Sequence, residues 1–397
     1  MERCVLAYSG GLDTSVAIGW LRDKYGVEVI AMAADVGQRI DHDEVRERGL
    51  AAGAKEVVIV DAREEFARDF VLPALRANAL YQGRYPLVSA LSRPLIVAHM
   101  VRVAREHDAT AVAHGCTGKG NDQVRFEVAT ASLAPDLTTL APVRDAGLSR
   151  EAAIAYAEEQ GLPIPITKAN PYSIDENLWG RAIECGALED PWAAPPRDAY
   201  GLTVDPQDAP ASSDTVEVGF EQGVPVSLDG ERLGLVELIE RAAARAGAQG
   251  VGRLDMIEDR LVGIKSREVY EVPAALTLIA AHRDLEDLTL ERALGAHKRT
   301  IEQPYAELVY DGLWFSPLRR ALDAFIAESQ RHVSGEVRLK LHHGSITVEG
   351  RRSGAALYTR GLATYEEGDL FDHAAAAGFV KLWGLPLKVW AERQGEE

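Results

Sequence analysis

The sequence predicts an α/β fold: a parallel sheet with helices on both faces, continued by an α+β region and closed by a helical arm. Three observations predict it. Short apolar runs alternate with helix-length segments through the first third of the 397 residues. Period-two runs and turn dipeptides mark antiparallel strands beyond about residue 172. The last stretch carries large apolar side chains at helical spacing.

Taken in order, Cys4-Val5-Leu6-Ala7 reads as a first strand and Ser15–Leu21 as a helix. Val27–Ala34 is a second strand, Asp43–Ala52 a helix and Glu56–Val60 a third strand. A longer helix covers Ala90–His107, opened near Ser92-Arg93-Pro94, with Pro94 placed in the first turn because its missing N–H is harmless there. Ala111–His114 is a further strand. In such sheets ligands sit beyond the carboxyl ends of the strands. That rule gathers Ser9–Ser15, the stretch after Ala34 and the stretch after His114 around one crevice. Another helix spans Arg150–Gln160. Pro163, Pro165 and Pro171 then punctuate the chain, and the domain boundary is placed there, dividing the sequence into 1–165, 166–362 and a terminal 363–397. Thr215–Phe220 and Val224–Leu228 alternate with period two, and Asp229-Gly230 is a turn dipeptide. Val337–Leu341 and Ser345–Val348 pair as a hairpin around His343-Gly344. Asp205–Asp214 reads as an exposed loop. Leu370–Arg393 reads as an amphipathic helix interrupted by Gly378, Gly384 and Pro386. There is no internal repeat and no heptad pattern.

Composition narrows the function. Lys+Arg 43 against Asp+Glu 61 gives 43 − 61 = −18, a charge that repels a phosphate backbone and argues against nucleic acid as a main partner. Cys4, Cys116 and Cys185 lie far apart without a C-x-x-C pair, which suits a reducing cytoplasm better than a disulfide framework or a zinc site. No run approaches the length of a membrane span, and no basic stretch plus apolar core marks a signal peptide.

The most informative segment is Ala7-Tyr8-Ser9-Gly10-Gly11-Leu12-Asp13-Thr14-Ser15. A strand, a Ser-Gly-Gly turn and a helix start bring backbone N–H groups and hydroxyls to one point, a cradle for phosphate. It is not a Walker loop, since no Gly-Lys-Ser/Thr follows, nor a G-x-G-x-x-G turn. An ordinary glycine-rich turn is the plain alternative. The pattern Ser-Gly-Gly-x-Asp-Ser/Thr resembles the loop of the ATP pyrophosphatases, which hold the β,γ-phosphates while chemistry occurs at the α-phosphorus. A second segment, His114 through Glu127, sets three glycines before Asn121, Asp122, Gln123 and Arg125. It reads as a polar loop entering a helix. Lys119 and Arg125 can hold phosphates or carboxylates and Asp122 an ammonium, a mix of charge that suits an amino acid beside a nucleotide.

Those two segments, with Arg84–Leu87, Asn170–Trp179 and Ile264–Glu271, are similar to the argininosuccinate synthase family over residues 2 to about 393. The resemblance implies a Rossmann-like ATP-pyrophosphatase domain followed by an α+β synthetase domain and a C-terminal helical arm. It implies ATP-dependent condensation of L-citrulline and L-aspartate through citrullyl-AMP, with Mg²⁺, in a cytoplasmic homotetramer. By the same resemblance Ala7, Tyr8, Ser9, Gly10, Gly11, Leu12, Asp13, Thr14, Ser15, Ala34 and Gly115 bind ATP. Thr117, Asn121 and Asp122 bind aspartate. Tyr85, Ser89, Asn121, Arg125, Ser173, Glu258 and Tyr270 bind citrulline. No residue is assigned as acid or base, and no metal ligands are named, though Asp13 is expected to act through Mg²⁺ or backbone donors because a bare carboxylate repels phosphate. Two positions depart from some relatives: Ala182 and Ala90 stand where serines contact citrulline, and Ser89 is the neighbour that can substitute for the second.

Plainer roles are assigned elsewhere. His342-His343 is a hairpin end, not a metal pair, because adjacent strand residues face opposite ways. His114 is a hydrogen-bonded strand-end histidine and Cys116 a small filler. Glu184, Glu189 and Asp190 form either an Mg²⁺ site or a solvated acidic loop. The arm with Trp383 and Trp390 is expected to exchange between subunits. The rivals are a tRNA-thiolating enzyme, disfavoured by dispersed cysteines and acidity, a glutamine-dependent synthetase, disfavoured by the missing amidotransferase constellation, and a non-catalytic nucleotide sensor.

Overall fold

The computed structural model describes residues 2–146, 150–161 and 172–395. The expected boundary at 165/166, with Pro163, Pro165, Asn170 and Pro171, lies outside the described residues. Five strands, β1 (Arg3–Ala7), β2 (Glu28–Asp35), β3 (Glu56–Asp61), β4 (Ala111–Ala113) and β5 (Thr138–Leu140), form a wholly parallel sheet in the order β3-β2-β1-β4-β5. The sheet is buried on both faces. Val5, Ile30 and Met32 enter one apolar core, while Cys4, Leu6, Val29 and Ala31 enter another. This two-sided burial is why these strands read as continuous apolar runs. Helix α1 (Leu12–Tyr25) contributes Ala17, Ile18 and Leu21 to the second core, beside α2 (His42–Ala51). Helix α3 (Val88–Glu106) contributes Leu91, Leu95 and Met100 to the first. Helix α4 (Asp122–Leu133) follows β4, and α5 (Arg150–Glu159) packs Ala153 and Ala157 on Val16 of α1.

The chain leaves β1 toward β2 on one side and later reaches β4 on the other, so β1 and β4 flank the topological switch point. Their carboxyl ends are level, with Leu6 opposite Ala113. A ligand crevice belongs there, and both segments singled out in the sequence open from it.

The α3 expectation needs correction. The helix begins at Val88, after Leu87 in the left-handed region at φ 67°, so Pro94 lies inside it rather than in its first turn. Tertiary bonds set the start: Trp179 Nε1 donates to the Pro86 carbonyl at 2.9 Å and Asn177 Nδ2 to that of Val88 at 2.8 Å. Strand β5 was not legible, being three residues, Thr-Thr-Leu, without an apolar run.

Beyond residue 172 the strands are antiparallel. A hairpin of β6 (Ser173–Asn177) and β7 (Gly180–Glu184) comes first. Then follow β8 (Asp214–Glu221), β9 (Val224–Leu228), β10 (Glu231–Arg232) and α6 (Leu235–Ala248). Next are β11 (Arg253–Asp259) and β12 (Lys265–Glu271), three helices, α7 (Pro273–Thr289), α8 (Arg292–Tyr310) and α9 (Pro317–Ser329), and the hairpin β13 (Gly335–His342) with β14 (Ser345–Arg352). They form two sheets, β11-β12-β7-β6 and β10-β9-β8-β13-β14. The second is amphipathic: Val216, Val218, Val337, Leu339 and Leu341 meet Leu238 and Ile239 of α6 and Leu278 and Leu285 of α7. His343 (φ 45°) and Gly344 (φ 81°) make the expected β13–β14 turn. There the histidine rings lie 4.2 Å apart, not on opposite faces, because His343 has already left the strand. His342 Nε2 faces the Ala211 carbonyl at 3.1 Å.

Residues up to Ala355 form one compact unit and those from Ala356 another. In the second, α10 (His373–Trp383) and α11 (Leu385–Gln394) replace the single expected helix. The break falls at Gly384, ahead of Pro386 in the first turn of α11; Gly378 stays within α10. Among the described residues no helix is long and apolar enough to cross a membrane.

Candidate active site

The turn after β1 is shaped by Gly10, at φ 77°, a conformation L-residues with a Cβ rarely adopt. It lets α1 start at Leu12 with Gly11 as a cap that supplies no side chain, so the first-turn N–H groups point outward. Ser9 and Thr14 are held together, Oγ to Oγ1 at 3.1 Å, and Ser9 Oγ accepts from Gly11 N at 3.4 Å. Ser9, Gly11, Leu12, Asp13 and Thr14 line the crevice with Ala7, Tyr8 and Ala34. Ser15 is turned away: it is buried with its Oγ 3.2 Å from the Tyr8 hydroxyl. Neither it nor Gly10 lines the wall.

The second loop closes on the first. A Cβ at Gly115 would stand 3.1 Å from Thr14 Cγ2, so glycine lets the two loops touch. Gln123 Nε2 donates to the carbonyls of Gly118 at 2.6 Å and Gly120 at 3.2 Å, fastening the loop to α4. Asn121 Oδ1 accepts from Leu261 N at 2.9 Å, leaving its amide nitrogen as the donor toward the crevice. Lys119 is exposed and away from the wall; its carbonyl accepts from Arg260 at 3.2 Å. His114 is buried, with Nδ1 accepting from Cys116 N at 3.2 Å and Nε2 3.4 Å from Glu127; burial pushes its pKa down. Burial likewise pushes the Cys116 thiol up, as a filler requires.

At the centre stands Asp122. Arg93 donates to its Oδ2 from Nε at 3.0 Å and Nη2 at 2.7 Å, and Arg125 Nη1 donates to Oδ1 at 2.8 Å. Burial alone would raise this carboxyl, but the two guanidinium groups outweigh it and hold it down to about 2. Arg93 Nη2 also reaches Asp175 Oδ2 at 2.7 Å, tying α3 and α4 to β6.

The sheet β11-β12-β7-β6 forms the opposite wall. Pairing of Ser173 with Glu184, Asp175 with Ala182, Tyr270 with Ala182 and Ser266 with Glu258 puts these side chains on one face, together with Glu268 two residues before Tyr270. That face turns toward Asp122 and Arg125. Glu258, 3% exposed, accepts from the hydroxyls of Tyr270 and Tyr310, the latter at 2.7 Å. Its burial raises its pKa, against the pull of both phenols and of Arg125. Tyr85 stacks on Tyr270 with centroids 4.2 Å apart, and its hydroxyl accepts from Ser89 N at 3.0 Å. Ser89 lines the cavity, while Ala90 is buried in the core. Ala182 lines it without a polar atom. Arg260 Nη2 bridges Glu184 at 2.8 Å and Glu268 at 2.6 Å. Burial, then the Glu268 charge, pushes Glu184 up to about 7.

The nucleotide-side cavity holds about 460 Å³ and the amino-acid side about 350 Å³. They share Ser9, Asp13, Arg93, Gly115, Asp122 and Asp175, and so are one crevice. Every aspartate- and citrulline-site residue expected from the sequence lines it: Thr117, Asn121 and Asp122, with Tyr85, Ser89, Arg125, Ser173, Glu258 and Tyr270. The family model for the arginosuccinate synthase N-terminal HUP domain matches residues 3–163, and that for the arginosuccinate synthase C-terminal domain matches residues 172–390.

The chain belongs to the argininosuccinate synthase family. It is an ATP-dependent ligase of arginine biosynthesis. Among solved structures it is similar to an NAD+ synthetase from Burkholderia pseudomallei, at 21% identity and a TM-score of 0.27, over 43% of this chain and 64% of that one. In this crevice, sequence reasoning missed Arg93, Asp175, Arg260, Glu268 and Tyr310, and weighed Glu184 only as an Mg²⁺ ligand or part of a solvated acidic loop. Polar residues fill nearly every position of β6 and β12, so no alternation marked Asp175 or Glu268. Among the described residues no group of three or more His, Cys, Asp or Glu is arranged to hold a metal.

Proposed function

We propose that the chain condenses L-citrulline with L-aspartate, using ATP and releasing AMP and pyrophosphate through citrullyl-AMP. One observation carries the reading. A phosphate cradle at the end of β1 opens, at the switch point, onto a pocket that holds a buried guanidinium, Arg125, and a buried carboxylate, Glu258, as a zwitterionic head group requires. The first-turn N–H groups of α1, with the Ser9 and Thr14 hydroxyls, take the β,γ-phosphates. Arg125 pairs with the citrulline carboxylate and Glu258 accepts from its ammonium. The ureido oxygen then attacks the α-phosphorus and pyrophosphate leaves. Thr117, Asn121 and Asp122 hold aspartate; its amine attacks the ureido carbon, and AMP departs with the former ureido oxygen. Positioning and charge complementarity supply the rate, without a nucleophile–base dyad.

Mg²⁺ fits this cradle through Asp13, a carboxylate on the wall of both cavities, since Mg²⁺ binds by one or two carboxylates plus substrate phosphates. Bound there it would neutralise phosphate charge. The exposed apolar side chains of α10 and α11 support a homotetramer with an exchanged arm. The wide spacing of Cys4, Cys116 and Cys185, without a C-x-x-C pair, supports a cytoplasmic location. Citrulline carrying ¹⁸O in its ureido group tests the route. The label is expected in the phosphate of AMP; its appearance in pyrophosphate, orthophosphate or water instead would overturn the adenylated intermediate.

A further inference from the structure

Tyr310 closes α8, far in sequence from the other site residues, yet it touches both charges of the head-group pocket. Its hydroxyl donates to Glu258 Oε2 at 2.7 Å. Its carbonyl accepts from Arg125 Nε at 2.9 Å, and its ring lies under the Arg125 guanidinium, 5.0 Å from centroid to Cζ. The ring itself is fixed. Tyr81 stacks on it nearly parallel, at 4° and 3.5 Å between centroids, and Tyr81 is tethered in turn by its hydroxyl to the Asp259 carbonyl at 2.9 Å. Tyr310 is 1% exposed, so this geometry is set before any ligand arrives.

We propose that Tyr310 is the positioning residue of the amino-acid pocket: through one hydroxyl and one carbonyl it fixes the spacing of Glu258 and Arg125, and thereby selects an α-amino acid head group of defined width. The inference rests on the reading above that this pocket takes citrulline. A single residue spanning both charges explains why two long side chains on different elements, β11 and α4, face one cavity at a fixed separation. Otherwise each would retain rotamer freedom, with a cost to binding. The phenol also opposes the burial that pushes the Glu258 pKa up. A buried carboxylate that loses one of two donors holds its proton to higher pH.

The test uses Tyr310→Phe in the full chain, which keeps the ring, the carbonyl and the stack on Tyr81. Two readouts are taken. In the ligand-free protein, carboxyl-carbon NMR follows the Glu258 titration, which is expected to move to higher pH in the variant. In steady-state assays the citrulline KM is expected to rise roughly tenfold, about the effect of one hydrogen bond to a charged group. The aspartate and ATP KM values are expected to stay within about twofold, and the acid limb of kcat/KM for citrulline to shift upward with Glu258. In a Glu258→Gln background the same substitution should have little further effect on citrulline, because the hydroxyl acts through that carboxylate. An unmoved Glu258 titration, an unchanged citrulline KM, or an undiminished effect in the Glu258→Gln background would each overturn the proposal. Absence of citrulline-dependent pyrophosphate release in the unsubstituted chain would instead overturn the reading of the pocket, and it would be seen before any substitution is made.

Discussion

Asp122 is the residue on which the site converges. It is bonded by Arg93 on one side and Arg125 on the other, and both bonds are charge-assisted. Its depressed pKa has a defined consequence for pH. The stability it contributes is present above the unfolded value of about 3.9 and is lost only as pH falls through about 2. Asp122 is therefore ionised throughout the working range. Asp122→Ala should raise the aspartate requirement most. It should also raise the citrulline requirement, because Arg125 loses a tether; steady-state KM values for each substrate check this, and an unmoved citrulline KM would show the tether to be idle. Arg125→Ala should raise the citrulline KM by about 100-fold, the scale of losing one or two charge-assisted bonds. Arg125→Lys should not restore it, since an ammonium cannot meet Asp122, the Tyr310 carbonyl and a ligand in one plane. An unchanged citrulline KM in Arg125→Ala would remove Arg125 from the pocket. At this scale the sequence was informative where side chains sit on the loop after a strand or in the first turn of the helix that follows it. Ser9, Asp13, Thr117, Asn121, Asp122 and Arg125 could be read because glycines around them forbid a packed core. Arg93 lies within a helix and Tyr310 at the end of one, where each looks like an ordinary surface or core residue until the chain is folded.

The β6–β7 hairpin is the element that completes the crevice. Asn177 and Trp179 dock it on the start of α3, and Leu178 N donates to the Val36 carbonyl at 2.8 Å, joining it to the loop after β2. Trp179 is almost wholly buried, so Trp179→Ala should cost about 3–5 kcal/mol in denaturant unfolding. A loss under about 1 kcal/mol would show the anchor to be redundant. Glu184 at the end of β7 gives the element its pH sensitivity. Its raised pKa means that its protonated form is favoured in the fold. That contribution is full below the unfolded value of about 4.3 and is lost as pH rises through about 7. Relative to Glu184→Gln, the unsubstituted chain should lose stability between those limits, as paired thermal melts across pH will measure; parallel curves would contradict the assignment. The strands of this sheet were illegible for a physical reason. Ser-Ile-Asp-Glu-Asn and Lys-Ser-Arg-Glu-Val-Tyr-Glu carry ligand-facing polar groups where a core strand carries apolar ones, which erases the period-two signal. By contrast β1, β2 and β3 were read directly, since burial on both faces demands unbroken apolar runs.

On the scale of the whole molecule, the parallel sheet carries the phosphate cradle at its β1 end and the antiparallel region supplies the facing wall of the crevice. The segment from Ala356 onward is a unit of its own, with Leu382, Trp383 and Leu387 more than two-thirds exposed. Apolar side chains of this size left in water mark a contact surface. Truncation after Ala355 should lower the mass measured by light scattering from that of a tetramer to that of a smaller species, and an unchanged tetramer would remove the arm from assembly. The measurement closest to the central claim is pyrophosphate release from Mg²⁺-ATP, with citrulline and aspartate each omitted in turn and the product mass read in parallel. Sustained release only when both are present, with an argininosuccinate mass, is the predicted result. ATP binding without release under any such combination would contradict it.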